Sequence, residues 1–173
     1  KPLLLNEEAF VMLMGDDFVF NQDGTSETSK MITYFNNTKA EALAGFVRRP
    51  QELLQKYGVA NTRVENGQEY LIDIIEKPEV GTAPTDLCNI SKYIFTPSIF
   101  KYLEKQEINP THKEWLITDT ITALAKDLPV LVYPISGEYV DGGFVEGWLQ
   151  ANILLASKDS VMKENLKTYI NNL

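Results

Sequence analysis

Hydrophobic positions along the chain alternate between continuous apolar runs and stretches with helical spacing. The run from Ala9 to Met14 predicts a strand buried on both faces, as in a parallel sheet that is covered by helices. Later apolar runs predict further strands over residues 42–47, 58–64, 70–75, 87–95 and 130–135. The Asn-Gly pair at residues 66 and 67 predicts a hairpin turn between the strands 58–64 and 70–75.

The intervening segments carry apolar residues at the spacing of one helix face. Met31, Ile32 and Phe35 indicate a first helix, and Thr118 is a good N-cap for a later one. Further helices are predicted over 51–57, after Pro97, from 145 to 153 and from 161 to 170. Strands therefore alternate with helices, which predicts an α/β layered fold in one unit over residues 1–173, with no repeat or linker.

Composition narrows the class of protein. The chain has 173 residues, of which 44% are hydrophobic, and this is enough for one domain with a buried core. Its single cysteine, Cys88, excludes an internal disulfide, and no apolar run is long enough for a membrane span or a signal peptide. We therefore expect a cytoplasmic protein without a membrane partner. The net charge of −8 and the lack of a basic cluster beyond Arg48-Arg49 make nucleic acid a poor partner.

Acidic residues follow two of the predicted strands. Asp16-Asp17 comes directly after the first run, and Asp141 precedes Gly142-Gly143. Ligands of open α/β sheets bind at the carboxyl ends of the strands, and carboxylates from two such ends can hold Mg²⁺ together with substrate phosphates. The residues alone leave a second interpretation open, in which both acidic groups are ordinary turn residues.

A third candidate, Glu76-Lys77-Pro78, ends the run over 70–75. Pro78 restricts the backbone before it, so the glutamate and the lysine are held in one direction. A lysine there offers a point charge to a phosphate, and a glutamate can accept hydrogen bonds from sugar hydroxyls. A solvated charge pair at a strand end is the alternative.

Seven short motifs occur along the chain in a definite order. They are Met12-Leu13-Met14-Gly15-Asp16-Asp17, Tyr57-Gly58-Val59, Glu76-Lys77-Pro78, Ala83-Pro84-Thr85-Asp86-Leu87, Thr118-Asp119, Asp141-Gly142-Gly143 and Gly147-Trp148-Leu149-Gln150-Ala151-Asn152. Together they resemble the motifs of the sugar-nucleotide pyrophosphorylases, most closely the branch that transfers uridylyl groups to glucose 1-phosphate. The resemblance implies a Rossmann-like, mixed, mostly parallel sheet flanked by helices.

The resemblance also implies a reaction. An oxygen of glucose 1-phosphate would attack the α-phosphorus of UTP, giving UDP-glucose and pyrophosphate. Asp16 and Asp141 would be the ligands of a catalytic Mg²⁺, and Lys77 would hold the sugar phosphate. Positioning and charge neutralisation would supply the catalysis, without a covalent nucleophile from the protein.

The sugar side of the site follows from the same resemblance. Gly58 would let the backbone approach the sugar, because a Cβ there would collide with it. Glu76 would hold sugar hydroxyls, and Tyr139 would lie near the sugar. Leu116 stands where the family has a glutamine, and Lys92 where it has an arginine, which are departures on this side of the site.

The family's glycine-rich loop, which holds the nucleoside triphosphate, has no counterpart in these residues, since no Gly-x-Gly occurs among them. We expect the chain to be a C-terminal portion of the domain that is inactive alone. Two alternatives remain. The chain could be a non-catalytic module that binds sugar phosphate and forms a homo-oligomer through its C-terminal helices, or it could be part of an enzyme that uses dTTP or ATP.

Overall fold

The strands form a six-stranded sheet and a separate two-stranded ribbon in the computed structural model, which describes residues 1–173. The strands are β1 (Phe10–Leu13), β2 (Asp17–Phe20), β3 (Ala42–Arg48), β4 (Gly58–Glu65), β5 (Gln68–Glu76), β6 (Leu87–Phe95), β7 (Val130–Pro134) and β8 (Glu138–Asp141). The helices are α1 (Glu27–Asn36), α2 (Ile99–Leu103), α3 (Ile117–Asp127), α4 (Val145–Lys158) and α5 (Ser160–Asn171), with a 3₁₀ helix at Gln51–Lys56. The predicted α/β class is confirmed.

The sheet is mixed, with the order β1-β6-β3-β7-β5-β4. Only β3 and β7 pair in parallel, whereas β1–β6, β3–β6, β4–β5 and β5–β7 are antiparallel. The mostly parallel pairing expected from the resemblance is therefore wrong for this chain. The reason is that β4, β5 and β6 follow one another without a helix between them, and a parallel neighbour needs a crossover connection.

The first strand also differs from its prediction of burial on both faces. β1 pairs only with β6 and lies at the edge of the sheet. Phe10 stacks on Phe100 and Met12 packs against the core, but Val11 and Leu13 are 37% and 46% exposed. An apolar run does not distinguish a strand covered on one face from a strand covered on two.

Helices cover both faces of the central strands. On β3, Ala42, Ala44 and Phe46 point into a core shared with α3, whereas Leu43 points to the opposite face and packs with Met31 of α1. The alternation of side chains along a strand produces this two-sided core. A third cluster lies beneath Tyr57 and Tyr139 and supports the candidate active site. It consists of Val47, Leu54, Val59, Cys88 and Ile90.

Two features predicted from short sequence signals, a hairpin turn and a helix N-cap, had different outcomes. The predicted hairpin is confirmed, because Asn66 and Gly67 adopt φ values of 51° and 78° between β4 and β5. The predicted cap is wrong: α3 begins at Ile117, and Thr118 lies inside the helix with a buried hydroxyl that has no hydrogen-bond partner.

The two C-terminal helices are attached to the ribbon through α4. Gly147 and Ala151 of α4 are buried, whereas α5 has no buried residue. None of the helices combines the length and the apolar character that a membrane crossing requires.

Candidate active site

Asp16 and Asp141 are brought together by the ribbon. β2 and β8 pair antiparallel with Asp17 opposite Asp141, and the backbone N–H of Gly142 donates to the carbonyl oxygen of Asp16 at 2.7 Å. A Cβ built on Gly143 would lie 3.1 Å from Asp141 Oδ1 and 3.2 Å from Asp16 Oδ2. Both carboxylates therefore face one small space, which is open because residue 143 has no side chain.

The neighbouring Asp17 makes a different contact. Its carboxylate accepts a hydrogen bond from the Tyr139 hydroxyl. Burial raises the pKa of Asp17 to about 6, against the hydrogen bond from Tyr139, and the nearby Asp16 adds to the rise. The carbonyl oxygen of Asp17 accepts a hydrogen bond from Lys92 Nζ at 2.7 Å, and burial lowers the pKa of Lys92. Asp17, Tyr139 and Lys92 thus form a polar support beside the carboxylate pair.

Glu76 and Gly58 lie opposite each other across the β4–β5 pair. A Cβ on Gly58 would lie 3.0 Å from Glu76 Oε2 and 2.9 Å from Ile74 Cγ2. The missing side chain therefore leaves room for the glutamate and for Ile74, a reason that the motif alone did not supply. Burial raises the pKa of Glu76, and the charges of Lys77 and His112 oppose that rise.

Lys77 is an exposed residue in the left-handed backbone region, with φ of 47°. This conformation is uncommon for a residue with a Cβ, and it occurs where the surroundings hold the backbone. The N–H of Lys77 donates to the carbonyl oxygen of Tyr57 at 3.0 Å. The lysine is thereby held beside the start of β4, next to Gly58.

Tyr57 contacts both groups of candidate residues. Its carbonyl oxygen holds the backbone of Lys77, and its hydroxyl lies 3.4 Å from Asp141 Oδ2. The structure therefore brings Gly58, Glu76 and Lys77 to one side of Tyr57 and the carboxylate pair to the other.

A known protein family matches most of the chain that carries this geometry. The family model described as nucleotidyl transferase matches residues 2–158. The chain belongs to this family. A nucleotidyl transferase relative from Staphylococcus haemolyticus, named UTP--glucose-1-phosphate uridylyltransferase, is 32% identical over 170 residues, which are 98% of this chain and 58% of the relative.

Solved structures of similar nucleotidyl transferases agree with this assignment. A UTP-bound UGPase from Acinetobacter baumannii has a TM-score of 0.83 and 27% identity, covering 98% of this chain and 58% of its own. A UDP-glucose pyrophosphorylase complexed with UDP-glucose has a TM-score of 0.80 and 28% identity, covering 90% and 58%. The chain thus spans somewhat more than half the length of the relatives that it matches.

The carboxylate pair fits the divalent cation that was expected for a nucleotidyl transferase. Oxygen donors are the ligands that Mg²⁺ prefers, and one or two carboxylates with substrate phosphates suffice in many phosphate-handling sites. Asp16 and Asp141 supply such oxygens, and the bare Gly143 leaves the space between them free.

Two residues of this candidate site, Tyr57 and Arg49, were not predicted from the sequence. Tyr57 was part of a quoted motif but had no role assigned to it. Arg49 was considered only as part of the basic pair Arg48-Arg49 and had no role assigned to it, yet its guanidinium lies 4.9 Å from the centre of the Tyr139 ring. Tyr139 itself lies against Asp17 and Arg49, and its expected contact with a sugar stays a prediction. No local pattern indicates these contacts, because each joins residues that are far apart in the sequence.

Proposed function

We propose that this chain provides the metal and sugar-phosphate side of a site that transfers a uridylyl group from UTP to glucose 1-phosphate. The convergence of the Asp16 and Asp141 carboxylates above Gly143 is the observation that supports the proposal most. The relatives named for this reaction, and the solved structures named for UTP and UDP-glucose, support the choice of substrates.

In the proposed reaction a phosphate oxygen of glucose 1-phosphate forms a bond to the α-phosphorus of UTP. The bond from that phosphorus to the β-phosphate bridging oxygen breaks, and pyrophosphate leaves. Two anionic phosphates must approach each other, so catalysis needs positive charge and fixed positions rather than a covalent intermediate. A bound Mg²⁺ would neutralise phosphate charge and orient the reacting groups.

Different side chains would bind the cation, the phosphate and the sugar. Asp16 and Asp141 would hold the cation. Lys77, fixed through its backbone by Tyr57, would bind the phosphate of glucose 1-phosphate as a point charge. Glu76, half-buried beside Gly58, would accept hydrogen bonds from sugar hydroxyls and so orient the hexose.

The chain is proposed to bind glucose 1-phosphate without completing the transfer on its own. These 173 residues contain no Gly-x-Gly sequence of the kind that directs backbone N–H groups toward a triphosphate. Uridylyl transfer by the chain alone, measured as pyrophosphate release, is therefore expected to be absent.

Calorimetric titration with glucose 1-phosphate and Mg²⁺ tests the proposal. Asp16→Asn should weaken Mg²⁺ binding, and Lys77→Ala should weaken glucose 1-phosphate binding, each by about tenfold or more, since hydrogen bonds and contacts to charged groups contribute about 1.5–3 kcal/mol. Asp23→Asn and Lys39→Ala, which change exposed residues away from the site, are the matched controls. If all four variants bind both ligands as the unchanged chain does, the proposed site is wrong.

A further inference from the structure

Arg49 differs from the other arginines of the chain. Arg48 forms an ion pair with Asp86, and Arg63 forms one with Glu65 at 2.7 Å. Arg49 has no such carboxylate, and its Nε is buried without a hydrogen-bond partner. The two terminal nitrogens of its guanidinium are not buried and have no carboxylate partner, so this half-buried arginine can donate to an external acceptor.

The position of Arg49 is fixed by its neighbours. Its backbone N–H donates to the carbonyl oxygen of Asp86 at 2.9 Å, and its guanidinium lies over the Tyr139 ring. The ring is in turn held by the hydrogen bond from the Tyr139 hydroxyl to Asp17. A guanidinium that rests on an aromatic face keeps the N–H donors at its edge for other acceptors, and these donors match the geometry of a phosphate.

Arg49 lies at a cleft of about 480 Å³ between the 3₁₀ helix, β8 and α4. Lys56 is a second cation of this cleft, and Glu138 and Asp141 are its carboxylates. Asp141 Oδ1 accepts the N–H of Gly143 at 2.9 Å and its Oδ2 faces the Tyr57 hydroxyl. Neither Asp141 nor Glu138 forms an ion pair with Arg49 or Lys56, so the two cations are free to act on a ligand.

We propose that this cleft binds the phosphate group of a small molecule, with Arg49 as a bidentate hydrogen-bond donor and Lys56 as a second positive charge. The site is separate from Lys77, which the proposed function assigns to glucose 1-phosphate and which does not line the cleft. The phosphate could be free in solution or attached to a sugar. Both sources present the same tetrahedral oxygens to a guanidinium.

Titration of the chain with inorganic phosphate, followed by calorimetry without Mg²⁺, tests the site. Arg49→Gln should weaken phosphate binding by about tenfold or more, since charge-assisted hydrogen bonds are about twice as strong as neutral ones. Arg48→Gln is the matched control, because it removes the same charge from the adjacent, exposed residue. These titrations are made in the Lys77→Ala background, because the proposed sugar-phosphate lysine would itself attract inorganic phosphate. The phosphate binding that remains then reports on the cleft alone.

A parallel titration with glucose 1-phosphate in the Lys77→Ala background identifies the source. Tighter binding than inorganic phosphate, still lost in Arg49→Gln, supports a sugar phosphate, and equal binding supports free phosphate. The proposal is overturned if the unchanged chain binds no phosphate at millimolar concentrations, or if Arg49→Gln and Arg48→Gln bind it equally.

Chemical modification gives a readout that does not depend on the folding of a variant. Phenylglyoxal reacts with accessible guanidinium groups, and its sites can be located by mass spectrometry. Phosphate should protect Arg49 in the unchanged chain and leave the modification of Arg63 unaffected, because Arg63 lies on the β4–β5 hairpin away from the cleft. Equal protection of both arginines would contradict the proposal.

Discussion

Replacing Gly58 with alanine tests why this position at the start of β4 is a glycine. The new Cβ would lie 2.9 Å from Ile74 Cγ2 and 3.0 Å from Glu76 Oε2, both closer than ordinary van der Waals contact. Backbone strain does not contribute, since the φ of Gly58 lies outside the left-handed region. The effect of the substitution must therefore come from crowding in a buried position.

The magnitude follows from two opposing contributions. Overpacking a buried site costs about 1–3 kcal/mol. Alanine is less flexible than glycine in the unfolded chain, and this difference stabilises the folded state by about 0.4–1 kcal/mol. We expect Gly58→Ala to lower the free energy of unfolding by about 1–2 kcal/mol, which in a chain of this size lowers the melting temperature by about 2–8 °C. Urea and thermal denaturation, followed by circular dichroism, measure both quantities.

Two further variants test whether crowding causes the loss of stability. Gly15→Ala is the matched control, because its Cβ would meet nothing within 4 Å, and it should leave the stability almost unchanged. In an Ile74→Ala background the nearer of the two crowding atoms is gone and only Glu76 Oε2 remains, so the cost of Gly58→Ala should shrink. An unchanged cost in that background, or a Gly58→Ala chain as stable as the parent, would refute the packing explanation.

Three other substitutions or treatments have definite expected outcomes. Gly147→Ala should lower the thermal midpoint, because its Cβ would overlap the carbonyl oxygen of Asp141; an unchanged midpoint would contradict this. Thr122→Val should cost about 1–3 kcal/mol in urea denaturation and Thr122→Ser much less, since the hydroxyl accepts the Ile74 N–H at 3.0 Å. Cys88 is buried and its pKa is raised by burial to about 11, so iodoacetamide should modify it slowly at pH 8 and faster as the pH approaches 11; rapid reaction in the folded chain at pH 8 would be inconsistent with this.

Element type was predictable from the sequence for the six-stranded sheet, but the short strands β2 and β8 of the ribbon were not predicted, and neither was strand direction. The apolar runs over 87–95 and 130–135 correspond to β6 and β7, and both were recognised from local composition. Direction depends on how the chain returns to the sheet, and a buried run has the same composition in either direction. β1 was predicted to be buried on both faces, but Val11 is exposed. This could not be predicted from the run itself, because coverage of the second face of β1 depends on elements that are distant in the sequence.

The candidate site was predicted in part. Asp16 and Asp141 could be paired in advance because both follow apolar strands and carry a recognisable order of motifs. Tyr57 and Arg49 could not, because the hydroxyl of Tyr57 meets a residue 84 positions away and Arg49 acts through the ring of Tyr139. Single polar residues at strand ends have no periodicity, so only the three-dimensional structure shows which of them converge.

Tyr57 determines how the two halves of the proposed site relate to each other. Its carbonyl oxygen fixes the backbone of Lys77, and its hydroxyl lies against Asp141. Both contacts come from one residue, which stands between the 3₁₀ helix and β4 and packs on the cluster around Leu54 and Val59. The spacing between the proposed phosphate-binding lysine and the carboxylate pair is thus set by a residue that packs on this core, which is the rigidity that a reaction depending on position requires.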